Sequence, residues 1–343
     1  MRVKTKEVRN IVAILDDIIV DYKEQTENKK RDWRTYEQRL TERLKKAFKE
    51  LRPLVQEAVQ TIKIVKGESR GAKPRLTLEQ KVLAILLKHL IGKSNRNMSS
   101  MLVLFMWLTD IDVSYKSIER LYSDQEVILA LHNLHMLILK KKGIEEVKDS
   151  GGDGTGYTLT IKKHYASEAQ KLKDKVKENN GGEISGKTYM KTLFVFFFAI
   201  MDIKTRMYIG YGTSFKSEQE AFLKAIIMIK ETGIRLISLR LDRYYSAQGY
   251  VEIIQRQLGN VTLYFIPKKN ATVRGPWEWK RMLYYFVTDP VTYLENYFQR
   301  NQSESGISED KKRIGWKLGQ KRDDRIDTAN FLTSLWHNLY WLG

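Results

Sequence analysis

The chain has 343 residues, with 60 Lys and Arg against 41 Asp and Glu, and a formal net charge of +19. A basic surplus of this size favours a polyanionic partner, DNA or RNA before a membrane surface. The absence of cysteine excludes disulfides, cysteine-based zinc sites and thiol catalysis. Because no apolar run is long enough to span a bilayer and no signal-peptide layout opens the chain, we expect an intracellular protein.

The first predicted region, residues 1–70, is all helical and is assigned to DNA binding or assembly. Apolar residues recur every three or four positions over 8–22, which is the pattern of an amphipathic helix. A charged helical stretch follows over 29–66, with a kink or break expected at Pro53. The two stretches suggest an antiparallel pair, for which internal packing is favoured over a dimerisation role.

The second region, residues 71–148, is predicted to be a set of short helices that follow a linker at 66–74. The expected helices cover 76–90, 98–108, 114–122 and 124–142, with Ser114 as an N-cap. Short helices joined by the turn at 109–114 suggest a helix-turn-helix, in which Lys116 and Arg120 would face DNA. The alternative is a helical adaptor packed on the next domain.

The third region, residues 149–343, changes to strands. Strands are predicted at 154–161, 193–202, 207–213, 236–241 and 262–266, with the second and third forming a hairpin. Helices are predicted at 217–232 and 247–258, and another near residue 300. This order indicates an α/β fold, a mixed sheet flanked by helices, and is the order expected of a ribonuclease-H-like domain.

Two carboxylates stand where this sheet would bring them together. Asp153 lies among glycines at the head of one predicted strand, and Asp242 ends another. If the two strands are neighbours, the carboxylates emerge side by side, which is costly without a counter-charge. Mg²⁺ or Mn²⁺, which prefer carboxylate and water ligands, would remove that cost.

A third carboxylate lies in a stripe of unusual composition near the C-terminus. On one helix, Tyr297, Arg300, Glu304 and Lys311 would fall within roughly 60° of one another. Such a face suits a metal-binding carboxylate with phosphate-binding neighbours, although an ordinary surface salt-bridge helix is the alternative. Gly306 is a poor helix former and predicts an irregularity before Lys311.

The stripe resembles the signature around the last catalytic acid of DDE-type insertion-sequence transposases. That signature is Tyr, two residues, Arg, three residues, Glu, six residues and Lys, and the chain matches it without a gap. Asp153 in Asp-Gly-Thr-Gly and Asp242 before an aromatic pair resemble the family's first two acids. The resemblance covers about half the chain, from Asp153 to Lys311.

The resemblance implies a DNA transposase that cleaves transposon ends and joins the 3′-hydroxyl to target DNA. It implies Asp153, Asp242 and Glu304 as catalytic ligands of two Mg²⁺ or Mn²⁺ ions. It further implies double-stranded DNA, as terminal inverted repeats and target, as the partner of a homodimer or larger assembly. The setting would be the prokaryotic cytoplasm, at the nucleoid. Two alternatives are a metal-dependent nuclease of the same fold and a catalytically silent, transposase-derived DNA-binding protein.

Several basic and aromatic residues are candidates for DNA contact. Lys268, Lys269 and Arg274 follow a predicted strand, and Trp277 and Trp279 come just after them. The tryptophans are more often core residues than base-stacking ones. The full set of predicted DNA-binding residues is Tyr297, Arg300, Lys311, Lys268, Lys269, Arg274, Lys116 and Arg120.

Overall fold

A computed structural model describes residues 3–25, 32–62, 76–92, 98, 101, 113–159, 194–320 and 322–343. The predicted linker at 66–74 lies outside the described residues. So do nearly all of the predicted helix at 98–108 and the start of the turn that follows it. The first helix of the predicted helix-turn-helix therefore stays a prediction, as do the region boundaries at 70/71 and 148/149.

The N-terminal region is helical, as predicted, but its helices are divided differently. The expected first helix is two, α1 (Thr5–Ala13) and α2 (Leu15–Gln25), and α3 (Trp33–Gln60) follows. The break or kink expected at Pro53 is not a break, since α3 continues through this residue. Leu51, Leu54 and Val55 are buried beside the proline. Tertiary packing of this face therefore holds the turn together although one backbone hydrogen bond is lost.

The predicted helices of the second region are confirmed wherever the structure describes them. They are α4 (Leu78–Ile91), α5 (Tyr115–Leu121) and α6 (Gln125–Lys141). Each begins at a side-chain cap, of which Ser114 was predicted. The Ser114 hydroxyl accepts a hydrogen bond from the Ser117 amide at 3.3 Å. Such caps satisfy amides that have no partner within the helix.

The sheet is mixed, as predicted. The described strands, which belong to this sheet and to a smaller one, are β1 (Glu146–Val147), β2 (Ser150–Leu159), β3 (Phe194–Asp202), β4 (Tyr208–Ser214), β5 (Arg235–Leu236), β6 (Ser238–Arg240), β7 (Thr262–Tyr264) and β8 (Lys317–Leu318). The main sheet has the order β4-β3-β2-β6-β7, and β8 pairs with the far end of β2. β2, β3 and β4 are antiparallel, whereas β6 runs parallel to β2 and β7 parallel to β6. β1 and β5 form a separate two-stranded sheet.

Helices cover both faces of the main sheet. They are α7 (Glu218–Thr232), α8 (Gln248–Leu258), α9 (Trp277–Thr288), α10 (Pro290–Phe298), α11 (Asn301–Ile314) and α12 (Asp323–Leu342). α7 packs on one face, where a Cβ at Gly212 would lie only 1.9 Å from the Ala221 carbonyl oxygen. α11 and α12 pack on the opposite face, where Tyr211 stacks on Phe331.

α12 joins the sheet to the N-terminal helices. It is buried from Arg325 to Tyr340 and packs against β4 on one side and α3, α4 and α6 on the other. α1 and α2 pack elsewhere, against α9 and α10, with Tyr22 stacked on Phe298. The antiparallel pairing predicted for the N-terminal helices is therefore replaced: α1 and α2 pack on α9 and α10, whereas α3 packs mainly on α6 and α12.

No helix in the described part of the chain is both long and apolar enough to cross a membrane.

Candidate active site

The two strands that carry the first carboxylates are neighbours, as predicted. β2 and β6 run parallel, and Gly151 of β2 pairs with Arg240 of β6. Asp153 lies two residues after Gly151 in β2, and Asp242 lies two residues after Arg240, just past the end of β6. The two acids therefore lie at the same level of the sheet. Asp242 also caps a short 3₁₀ turn, since its carboxylate accepts a hydrogen bond from the Arg243 amide at 2.6 Å.

β2 begins earlier than the sequence predicts, at Ser150, so Asp153 lies within the strand and not at its head. The glycines beside it were predicted to allow close approach, and they do. A Cβ at Gly151 would lie 3.5 Å from the Arg300 Cα, and one at Gly152 would lie 2.6 Å from the Leu241 side chain. At Gly152 the missing side chain lets the Leu241 side chain pack against β2, whereas the distance at Gly151 is an ordinary van der Waals contact.

The stripe of four residues is divided between two helices and not carried by one. Tyr297 lies in α10, Arg300 lies in the turn just before α11, and Glu304 and Lys311 lie in α11. The side chains nevertheless meet, because the Arg300 guanidinium carbon lies 5.6 Å from the Tyr297 ring centre. The signature therefore describes a cluster in space whose members come from a helix, a turn and a second helix.

Arg300 bridges two of the three predicted acids. Its Nη2 lies 2.6 Å from the Glu304 carboxylate, and its Nη1 lies 3.7 Å from that of Asp153. The Arg300 side chain is only 11% exposed. Burial lowers the pKa of Arg300, but the charges of Tyr297, Glu304, Asp153 and Asp242 together raise it above its usual value. The Arg300 guanidinium thus interacts electrostatically with all three predicted acids.

Asp153 is the acid whose charge is least well compensated. Burial raises its pKa to about 7, Arg300 opposes that rise, and Glu304 and Glu218 add to it. A carboxylate whose ionised form is disfavoured by burial and by like charges is a frequent mark of a functional site.

Lys311 lies on the same face of β2 as Asp153, because it contacts Thr155 two residues further along the strand. Its ammonium donates to the Thr155 hydroxyl and lies 5.5 Å from the Tyr157 ring and 4.3 Å from the Trp316 ring. Burial lowers the pKa of Lys311, and Asp153 partly offsets that effect. The two aromatic rings hold the cation in place, with Trp316 itself 62% exposed.

The irregularity expected at Gly306 is not present, since α11 runs unbroken through it. Gly306 is instead a packing residue. A Cβ there would lie 2.4 Å from Met201 Cε and 3.2 Å from both His337 Cε1 and the Tyr208 hydroxyl. The missing side chain lets α11 lie close to the sheet, and this sets where Glu304 and Lys311 emerge.

Glu218, a fourth carboxylate beside the cluster, is not among the residues predicted from the sequence. A Cβ at Gly154 would lie 2.4 Å from the Glu218 side chain, and the buried Tyr245 donates a 2.8 Å hydrogen bond to it. An acid in the first turn of a helix is ordinary, so nothing in the local pattern singled Glu218 out. Its proximity to Asp153 depends on how α7 crosses the sheet.

Within the described residues, no three Asp, Glu or His side chains converge closely enough to hold a metal ion as they stand. The Arg300 guanidinium lies between Asp153 and Glu304, 3.7 Å and 2.6 Å from their carboxylates. The donor chemistry fits Mg²⁺ or Mn²⁺, because these ions prefer carboxylate oxygens and the charge of Asp153 is poorly compensated.

The remaining predicted DNA-binding residues lie around the site or away from it. Lys268 donates to the Tyr244 carbonyl at 3.1 Å, which brings its loop beside the Asp242 turn. Lys269 and Arg274, in the same loop, are exposed. Lys116 and Arg120 are exposed on α5, which packs on α4, and are not brought to the acids.

The two tryptophans behave differently. Trp279 is 2% exposed and donates to the Thr272 carbonyl at 2.8 Å, which is the core role expected of it. Trp277 is 55% exposed and remains available for a ligand.

Comparison with known proteins assigns the chain to a family. No protein-family model matches it. The chain is 40% identical over 339 residues to the probable transposase of the insertion sequence element ISA1214 from Archaeoglobus fulgidus, an alignment that covers 99% of this chain and 97% of that protein. Identity of this level along the whole length, together with the arrangement of Asp153, Asp242, Arg300 and Glu304, leads to one conclusion: the chain belongs to the insertion-sequence transposases.

Proposed function

We propose that the chain is a DDE transposase, which cleaves DNA at the ends of its element and joins the freed 3′-hydroxyl to target DNA. The observation that carries this proposal is the set of three acids around Arg300, two from adjacent parallel strands and one from α11. The sheet order, with an antiparallel hairpin on one side of β2 and parallel strands on the other, supports a ribonuclease-H-like class for the domain.

Asp153, Asp242 and Glu304 would hold divalent metal, with Glu218 close enough to affect Asp153. When bound, two such ions activate the attacking oxygen and stabilise the leaving one. Arg300 is the counter-charge of the acids in the metal-free chain, and its Nε is buried without a hydrogen-bond partner.

The side chains around the acids have separate tasks. Arg300, able to bind two phosphate oxygens at once, would orient the scissile phosphate. Lys311, fixed by Tyr157 and Trp316, would hold a phosphate oxygen next to Asp153. Tyr297 packs beneath Arg300 and keeps its guanidinium in place. Both chemical steps are phosphoryl transfers. Water attacks first and the 3′ oxygen leaves; that 3′-hydroxyl then attacks a target phosphodiester.

Replacement of Asp242 by alanine is the direct test. We expect Asp242→Ala to abolish cleavage and to leave the affinity for element ends within about twofold, since metal ligands serve chemistry and backbone cations serve affinity. Cleavage is measured on a labelled duplex that bears the element's terminal sequence, and binding is measured by anisotropy on the same duplex. Normal cleavage by Asp242→Ala would contradict the assignment of Asp242 as a catalytic metal ligand. Products in which a 3′-hydroxyl end is joined to target DNA would separate a transposase from a nuclease.

The exposed cations of α5 are proposed to contribute to end binding. We expect Lys116→Ala combined with Arg120→Ala to weaken binding to end DNA and to reduce the salt slope of log Kd by about 1 to 2. The matched control is Lys230→Ala with Arg256→Ala, two exposed cations on the α7–α8 side of the sheet. Equal salt slopes for the two double variants would favour the adaptor interpretation of this region.

A further inference from the structure

A basic cavity, separate from the candidate active site, lies on the other side of α11 from the acids. A cavity of about 710 Å³ is formed between the start of α3, the β3–β4 turn, the last turns of α11 and the end of α12. Its charged lining consists of four arginines and two acids: Arg39, Arg43, Arg206, Arg313, Asp32 and Glu309. The lining therefore carries more positive than negative charge.

The acids of the lining are already engaged. Glu309 pairs with Arg313 at 3.0 Å, and Asp32 accepts hydrogen bonds from Thr35 within the first turn of α3. In the part of the chain that the structure describes, Arg39, Arg43 and Arg206 form no ion pair within 4 Å. Burial lowers the pKa of Arg43, and repulsion from Arg313, Arg206 and Arg39 adds to this effect, which Glu309 only partly offsets. The positive charge of the lining is therefore incompletely compensated.

Trp341 holds two of these cations in fixed positions. The guanidinium carbon of Arg43 lies 3.8 Å from the centre of the Trp341 ring, and that of Arg206 lies 4.8 Å from it. A guanidinium stacked on an aromatic ring keeps its in-plane N–H groups available, and these match two phosphate oxygens in geometry. Arg43 and Arg206 are therefore anchored donors, and the exposed Arg39 adds a further cation to the lining.

We propose that this cavity binds the phosphodiester backbone of the element end at a segment away from the scissile phosphate. Glu304 and Arg313 are nine positions apart in α11, which is about 900° and places them on opposite sides of the helix. The phosphate at the acids and a phosphate at the arginines therefore cannot be the same group. The inference rests on the proposed function only in taking DNA as the polyanion.

The test compares two pairs of arginines in the full-length chain. Arg39→Ala with Arg206→Ala removes two lining cations, and Arg235→Ala with Arg256→Ala removes two exposed cations remote from the cavity. We expect the cavity pair to weaken binding to a fluorescein-labelled end duplex by roughly 10- to 100-fold and to reduce the salt slope by about 1.8. The control pair should change neither by a comparable amount.

Arg39→Gln with Arg206→Gln repeats the test with nearly the original side-chain size, in case the alanine pair folds poorly. Hydrogen exchange gives an independent measurement on the unaltered chain, and end DNA should protect the backbone amides of residues 35–43. Three outcomes would overturn the inference: equal salt slopes for cavity and control pairs, no protection of 35–43, or displacement of DNA by polyglutamate as effective as displacement by unlabelled duplex.

The cleavage assay keeps this inference separate from the proposed function. If the unaltered chain cuts element ends but the cavity pair binds them normally, the cavity site is wrong and the transposase assignment stands. If the unaltered chain does not cut element ends, but the cavity pair binds DNA more weakly than the control pair does, the cavity site stands and the proposed chemistry fails.

Discussion

Asp153→Asn is expected to abolish cleavage and, in metal-free buffer, to make the protein more stable at pH 8. The loss of activity follows from removing a proposed metal ligand, and we expect a decrease of at least about 10³-fold. The gain in stability follows from the cost that the structure assigns to the ionised Asp153, whose pKa burial raises to about 7. Asparagine has nearly the same shape and carries no charge, so this cost disappears.

The gain should depend on pH in a defined direction. The unfolded chain ionises Asp153 near the ordinary value of 3.8, whereas the folded chain holds the proton up to about pH 7. The native form is therefore favoured at low pH, and this stabilisation is lost as the pH rises from about 4 through 7. The upper bound is about 4 kcal/mol at 1.36 kcal/mol per pKa unit, and we expect about 2 kcal/mol because the side chain is partly exposed.

The measurement is Tm against pH for the unaltered chain and for Asp153→Asn, with a chelator present. The difference in Tm should be small near pH 4, grow up to about pH 7 and then stay constant. Asp21→Asn, a matched change on the exposed side of α2, should alter the free energy of unfolding by less than about 0.5 kcal/mol. A variant less stable than the unaltered chain at pH 8 would contradict the poor compensation of Asp153.

The same pair of proteins tests the metal without an activity assay. A ligand that binds only the folded state stabilises it by RT ln(1 + L/Kd), where L is the ligand concentration, so Tm rises with the logarithm of L once this exceeds Kd. Mg²⁺ or Mn²⁺ should therefore raise the Tm of the unaltered chain and should raise that of Asp153→Asn much less. An equal rise in both proteins would place metal binding elsewhere than at Asp153.

Gly306→Leu is expected to destabilise the fold and to remove activity, although leucine is the better helix former. The helix gains about 0.8 kcal/mol when glycine is replaced. Against this, a Cβ would lie 2.4 Å from Met201 Cε and 3.2 Å from the Tyr208 hydroxyl, and the leucine branch would extend further. Overpacking of this kind typically costs about 1–3 kcal/mol. Because the leucine side chain extends well beyond Cβ, we expect the cost for Gly306→Leu to lie at the upper end of that range.

The buried polar network next to Gly306 increases the loss of folding stability expected for Gly306→Leu. Tyr208 donates to Asp310 at 2.7 Å, and His337 Nδ1 lies 2.9 Å from the same carboxylate. His337 Nε2 donates to the Arg206 carbonyl at 2.7 Å, which ties α11 and α12 to the β3–β4 turn. Pushing α11 away from the sheet would leave these buried groups without partners, each at a cost of about 1–3 kcal/mol.

A graded series separates packing from helix propensity. Gly306→Ala should be close to neutral, because the nearest atom is the flexible end of Met201 and the gain in helix propensity offsets its displacement. Ser305→Leu places the same bulk on the exposed side of α11 and should stay within about 0.5 kcal/mol. Chemical denaturation gives the free energies and the end-cleavage assay gives the activities. Equal stability of Gly306→Leu and Ser305→Leu would contradict the close approach of α11 to the sheet.

Much of the architecture could be predicted from local pattern. The apolar run at 193–202, the Ser114 cap and the hairpin before Tyr208 are encoded within a few residues, and the structure has each of them. The errors came where packing overrides local preference. Pro53 lies inside α3 because the buried face around it stabilises the helix, and Gly306 lies inside α11 because the sheet leaves no room for a large side chain.

Residue types at set spacings were enough to indicate the family of this protein and to nominate Asp153, Asp242 and Glu304 as its candidate acids. Only the tertiary structure decided that the Tyr297–Lys311 stripe is divided between two helices and that Arg300 bridges Asp153 and Glu304. It alone brought Glu218 to Asp153 and gathered four arginines around one cavity. Contacts between residues far apart in the chain depend on how helices cross the sheet, and no local pattern records that crossing.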